Sequence, residues 1–255
     1  MEKERTWEPP ISIYLGNLAD YAEGKATGEW IELPQREAGL QEKLDRISNN
    51  GRNELVIMAA DFREDCGYLK EVVGEWDDVP GLNTVAALIG EKEHPAVRAY
   101  VELNEIPGIP ELANLLMQEE SIPYYPYDFE ESDNPEVMEN LDEYAKLGYT
   151  VIEQNPELMQ IKDTLQVGCN TLNMYIDVEA VGRDLIMNDY MAVDREGYYD
   201  MRQEGPELNY YTIAEIQEAL REQERDQERE KEWEQIKAKE PGRGLARTPE
   251  KFSLR

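Results

Sequence analysis

One histidine, His94, two cysteines, Cys66 and Cys169, and 26 lysines and arginines set against 56 aspartates and glutamates mark what these 255 residues hold little of. A Ser-His-Asp triad would have to use His94, and no Gly-x-Ser-x-Gly turn accompanies it. No second His or Cys stands at zinc spacing from it, and with Pro95 following it reads as a surface residue of a loop. The cysteines lie too far apart in sequence to suggest a disulfide framework or a metal site, which fits a reducing, cytoplasmic setting. Cys66 sits among acids, which raise a thiol pKa, the wrong direction for a nucleophile. No apolar run approaches the ~18 residues of a membrane span, and Met1-Glu-Lys-Glu-Arg-Thr opens no apolar signal stretch. Gly24-Lys-Ala-Thr-Gly28 lacks the Gly-Lys-Ser/Thr ending and the strand-to-helix context of a phosphate loop. Asp128 to Asp133 shares only charge with a calcium-binding loop. With 56 acids in the chain some pair always looks catalytic, so paired carboxylates argue for nothing by themselves. The expectation is no enzyme, no metal and no cofactor.

The shortage of bases leaves a formal charge of −30 and a pI near 4.3. Such a surface repels phosphate, which excludes direct binding to nucleic acid or to an anionic membrane and points to basic partners. Acidity of this degree also accompanies disorder, but 40% of the residues are apolar and 15 are tyrosine, enough to build cores. The pattern is α+β. Ile11 to Leu15, Glu29 to Leu33 and Glu54 to Ala60 read as strands, joined by a turn-rich connection over 17–28 and a helix over 38–47. From 67 to 120 the apolar spacing is helical in four stripes: Leu69, Val72, Val73 and Trp76; Leu82, Val85, Ala86 and Ile89; Val97 to Leu103; and Leu112, Leu115 and Leu116. Ser121 to Asp133 reads as an extended connector. A helix is expected from Asn134-Pro135 to a stop at Gly148, with strands over Asn173 to Asp177 and Tyr198 to Met201 around a turn at Gly182. Thr212-Ile-Ala-Glu215 is a capping box ahead of a charged helical tail. The expected divisions are 11–62, a small sheet with a helix; 63–135, a mostly helical acidic middle; 136–202, an α+β domain; and 203–255, a charged, partly disordered tail.

The charge is uneven. Residues 203–255 hold 13 acids and 10 bases, whereas 1–202 hold 43 acids and 16 bases, and 103–161 hold 14 acids and one base, Lys146. Solubility asks for a net charge of magnitude ~2–8 on a small domain, so the excess in the body has a cost that suggests a use. Duplex DNA carries a charge every ~1.7 Å of its axis. Carboxylates of Glu136, Glu139 and Glu143 on one helical face would stand ~4.5–6 Å apart along it, comparable to phosphate spacing. Asp128, Glu130, Glu131, Asp133, Glu136, Glu139, Asp142 and Glu143 form a run without a base, and Asp61, Glu64, Asp65, Glu119 and Glu120 extend the expected acidic surface. A folded array of this kind can fill the basic groove a DNA-binding enzyme keeps for phosphates. The residues thus point to a DNA mimic. A second reading is an acidic adaptor that binds a basic protein through its tail; deletion of 203–255 separates the two.

Several segments resemble one family. Ile13-Tyr-Leu-Gly-Asn-Leu-Ala-Asp-Tyr-Ala-Glu-Gly-Lys-Ala-Thr-Gly-Glu-Trp30, Glu54 to Phe62, Leu103-Asn-Glu-Ile-Pro-Gly-Ile-Pro-Glu-Leu-Ala-Asn-Leu-Leu116 and Tyr175-Ile-Asp-Val-Glu-Ala-Val-Gly-Arg-Asp-Leu185 resemble, in order, motifs of the ArdA antirestriction proteins over about residues 11–202. The resemblance implies an elongated string of small domains, a homodimer formed through 136–202, and carriage on mobile genetic elements. It also implies evasion of host defence by competitive occupation of the DNA-binding groove of Type I restriction–modification enzymes, with another DNA-binding defence nuclease as the alternative target. The chain departs from the family in extra sequence between about 63 and 102 and in the 203–255 segment.

Overall fold

The computed structural model describes residues 8–25, 27–129, 138–189, 191–200, 202–203 and 205–239. It is mixed α+β, with small antiparallel sheets. One compact unit runs through Tyr211 and a second begins at Thr212.

In the first sheet β1 (Ile11–Asn17) lies between β2 (Gly28–Leu33) and β3 (Leu55–Phe62), antiparallel to both. The period of two along a strand sends Ile11, Ile13, Leu15, Ile31 and Leu33 to one face, where each is fully buried. Helix α1 (Leu18–Ala22) occupies part of the connection that reads as turn-rich in the sequence. Its cause is Asn17, whose Oδ1 accepts from the Asp20 N–H at 2.8 Å while its Nδ2 donates to the Asp20 carboxylate and to the Ile47 carbonyl. Helix α2 (Glu37–Ile47) packs on the sheet, burying Leu40 and Leu44.

The first expected stripe of the middle region is only partly helical. A 3₁₀ helix covers Glu64–Glu71 and buries Leu69; the chain then turns at Gly74, whose N–H donates to Asp77, and leaves Trp76 63% exposed. The other stripes form α3 (Val79–Ile89), α4 (Pro95–Leu103) and α5 (Ile109–Met117), each with a proline in its first turn. Helix α3 packs against α5, burying Leu82, Val85, Ala86 and Ile89 with Leu112, Leu115 and Leu116.

A second antiparallel sheet follows. β4 (Tyr124–Pro126) emerges from the expected connector and pairs with β8 (Gly197–Asp200), which pairs in turn with β7 (Met191–Val193). Tyr198, Met191 and Leu147 make its core. Three expectations fail here. The helix expected to stop at Gly148 instead starts after Asp142 as α6 (Glu143–Glu153) and runs through Gly148; its expected start, at 134–135, lies outside the described residues. Asp142 is extended and caps the helix by accepting the Ala145 N–H at 2.7 Å. Gly182 is not a turn residue but lies inside α8 (Val178–Asp189). The expected strand over 173–177 is a 3₁₀ turn, Leu172–Tyr175, after a hairpin of β5 (Gln166–Val167) and β6 (Asn170–Thr171). Before it lies α7 (Pro156–Lys162).

The second unit contains α9 (Ile213–Lys239). Thr212 and Glu215 cap it reciprocally: the Thr212 N–H donates to the Glu215 carboxylate at 2.8 Å and the Glu215 N–H donates to Thr212 Oγ1 at 3.3 Å. Among the described residues no helix is long and apolar enough to cross a membrane.

Candidate functional site

The surface charge of the first unit is set by where its few bases go. Lys146, the single base of 103–161, is buried, and its ammonium donates to the Arg195 carbonyl at 3.0 Å. Lys162 is buried as well, paired with Glu153 at 3.3 Å and lying 6.0 Å from the centre of the Tyr149 ring. Arg63 turns inward to a two-pronged pair with Asp65, at 2.6 and 2.8 Å, and donates to the carbonyls of Gly90 and Lys92. Arg98 joins Asp194 at 2.7 Å, and the other oxygen of Asp194 accepts from the Tyr124 hydroxyl and from two backbone N–H groups of the β7–β8 turn. Such positions use an arginine or a lysine as an internal fastener. Elsewhere in the unit Lys25, Arg36, Arg46, Arg52, Lys70, Lys92, Arg183, Arg195 and Arg202 are exposed, so it is the 103–161 stretch, whose one base points inward, that presents acids without a surface base of its own.

The expected acidic residues divide accordingly. Asp61, Glu64, Glu120, Asp128, Glu139 and Asp142 are exposed, and Glu143 is half-buried. Asp65 and Glu119 are occupied internally. Burial would raise the Asp65 carboxyl, but the guanidinium of Arg63 outweighs it and holds the group below its usual range. Glu119 bonds His94 Nδ1 at 2.7 Å. Glu130, Glu131, Asp133 and Glu136 lie outside the described residues. The single helical face that would space Glu139 and Glu143 regularly does not form, because the backbone leaves the helix between them and re-enters it only after the Asp142 cap.

His94, expected on the surface, has a side chain only 9% exposed at the start of α4; its Nε2 faces the Ile89 carbonyl at 3.1 Å. Burial pushes the Cys66 thiol up to about 12, and Asp65 adds to the rise. Among the described residues no group of acids, histidines or cysteines could hold a metal ion.

The register of the first sheet assembles a group that the linear sequence does not display. Glu32 and Asp61 both stand opposite Ser12, and Trp30 and Ala59 both stand opposite Tyr14, all on the face turned away from the core. The Tyr14 and Trp30 rings are 5.5 Å apart. Gly28 is required beneath them, since a Cβ there would stand 2.9 Å from the Tyr14 ring. The alternation of Glu29-Trp-Ile-Glu-Leu33 already placed Trp30 and Glu32 on one face; only the pairing of β1 with β3 brings Asp61 beside them.

A family model described as antirestriction protein (ArdA) matches residues 13–200. No curated protein matches the chain.

Proposed function

This chain belongs to the ArdA family of antirestriction proteins, and from that premise we propose that it acts as a folded mimic of the DNA backbone, occupying the DNA-binding groove of a Type I restriction–modification enzyme. The family is one of antirestriction proteins and not a known enzyme family. The observation that carries the mimic reading is the sorting of charge: in 103–161 the single base is buried, and exposed acids have no surface base among them. Carboxylates held on a folded scaffold meet a basic groove without the entropy loss that an acidic disordered tail would bear.

The test is a competition titration of purified Type I enzyme and labelled duplex with the full chain at low and moderate salt. Displacement of DNA at near-stoichiometric amounts, weakening steeply as salt rises, is the expected result. Salt-independent inhibition that does not compete with DNA overturns the reading and directs attention to the tail.

We place the homodimer contact in the C-terminal part of the first unit. Among the described residues, six of the eleven exposed large apolar side chains belong to it: Ile161, Leu165, Val167, Met174, Tyr175 and Met187, with Met187 83% exposed. Apolar surface of this kind marks an interface, and a twofold contact reuses one patch on both copies. Light scattering should give a dimer for the wild type and a monomer for Ile161→Asp with Met187→Glu. Cys169, exposed beside this surface, offers a cross-linking handle that buried Cys66 does not.

A further inference from the structure

We propose that the outer face of the first sheet is an arginine-docking surface, taking an arginine-bearing segment of the basic partner onto the Tyr14–Trp30 pair and the neighbouring row of Glu32 and Asp61. The proposal rests on the mimic reading for the partner's sign of charge and goes beyond it in naming the side chain recognised. The four residues sit on three adjacent strands in fixed register. Strands are ~4.8 Å apart, so Glu32 and Asp61 flank Ser12 at a separation of roughly 10 Å, and the aromatic row lies about 7 Å further along the strands. Trp30 is 52% exposed, and Glu32, Ala59 and Asp61 are exposed with it. The core lies on the opposite face, so burial of apolar side chains does not explain a tryptophan here.

The occupant follows from the chemistry. Carboxylates alone attract lysine and arginine alike, as phosphates do. A guanidinium also stacks flat on an indole or phenol ring and offers paired donors to a carboxylate, which a compact, strongly hydrated ammonium does not. An aromatic row with a carboxylate row beside it on one sheet face therefore selects arginine over lysine. Grooves that read phosphate are rich in arginine, so a mimic bearing this face gains a contact that simple charge imitation lacks.

The experiment titrates the full chain with nona-arginine and with nona-lysine, peptides of equal length and charge, over a range of salt. The wild type should prefer nona-arginine by about two- to fivefold, the equivalent of about 0.5–1 kcal/mol. Trp30→Leu, which keeps apolar bulk and removes the ring, should bring the two peptides level. Glu32→Gln with Asp61→Asn should weaken both and flatten the salt dependence. Trp76→Leu, at an exposed tryptophan elsewhere, should leave the preference intact. In the wild type the Trp30 indole N–H resonance, assigned with the conservative Trp30→Phe, should shift on adding nona-arginine. An unmoved resonance, a preference that survives Trp30→Leu, or one lost equally in Trp76→Leu overturns the inference. DNA competition by the wild type reports on the mimic reading separately: if competition holds while the preference survives Trp30→Leu, only the docking face falls. If competition fails, the peptide ratio still judges the face.

Discussion

His94 presents both ring nitrogens to acceptors, Nδ1 to the Glu119 carboxylate and Nε2 to the Ile89 carbonyl. A neutral imidazole carries one N–H and can satisfy only one of them, so the geometry calls for the imidazolium. Burial by itself would lower the pKa; the hydrogen bond and charge of Glu119, helped by the Ile89 carbonyl, more than reverse it, and the value is raised. A folded pKa above the unfolded value of ~6.5 gives stability that is full below about pH 6.5 and lost as pH rises through the folded value. Urea unfolding of the wild type and His94→Gln should differ by about 1.5–3 kcal/mol at pH 6, the range for a hydrogen bond to a charged group, and by less at pH 9. An equal gap at both values would show that His94 holds the α3–α4 connection as a neutral ring. The sequence could not place this residue: a lone histidine before a proline looks like a loop, and its partner Glu119 lies 25 positions on, on another element.

Helix crossings show most plainly how much structure was legible. Strands β1, β2 and β3 and helices α2 to α5 follow from apolar period and proline position, and the capping box at Thr212 follows from its letters. Gly148 and Gly182 did not follow, because a glycine that ends a helix and one that admits a neighbouring helix are the same letter. Here both admit a neighbour: a Cβ on Gly148 would stand 1.8 Å from the Val178 carbonyl oxygen, and one on Gly182 would stand 1.9 Å from that of Tyr144. Backbone against backbone leaves no flexible side chain to give way, so Gly148→Ala and Gly182→Ala should each destabilise by about 3 kcal/mol or more, at the upper end of overpacking. Gly39 is the internal control, an exposed glycine inside α2 with open space around it. Gly39→Ala should stabilise by about 0.5–1 kcal/mol, since alanine has the lower entropy loss in a helix. Thermal unfolding reads all three; a harmless Gly148→Ala would mean that α6 and α8 do not approach at this point. Of the expected acids, the letters were legible but neither which of them are engaged internally, as Asp65 and Glu119 are, nor the spacing of Glu139 and Glu143, because the Asp142 cap breaks the helix on which a regular carboxylate ladder would have stood.

For the whole molecule, the charge of −30 matters less than its sorting into two populations. Asp65 and Asp194 hold arginines inside the fold, so their charges are spent on structure. Asp61, Glu64, Glu120 and Glu139 are exposed and point their charge at whatever approaches. If inhibition rests on the outward population, the slope of log affinity against log salt should fall in steps as Asp61→Asn, Glu64→Gln, Glu120→Gln and Glu139→Gln accumulate, because each removes about one screened contact, and the melting temperature should hold or rise as self-repulsion is relieved. Asp194→Asn should do the reverse. It strips a charge-assisted anchor from Arg98 and Tyr124, lowering stability by about 1.5–3 kcal/mol while leaving the salt slope of the folded fraction unchanged. The two series, read by the same competition titration and the same melting curves, separate charge that recognises from charge that fastens. A salt slope that responded to Asp194→Asn as strongly as to the surface set would mean that the fold itself tunes the field, and that the acidic surface cannot be treated as a sum of independent carboxylates.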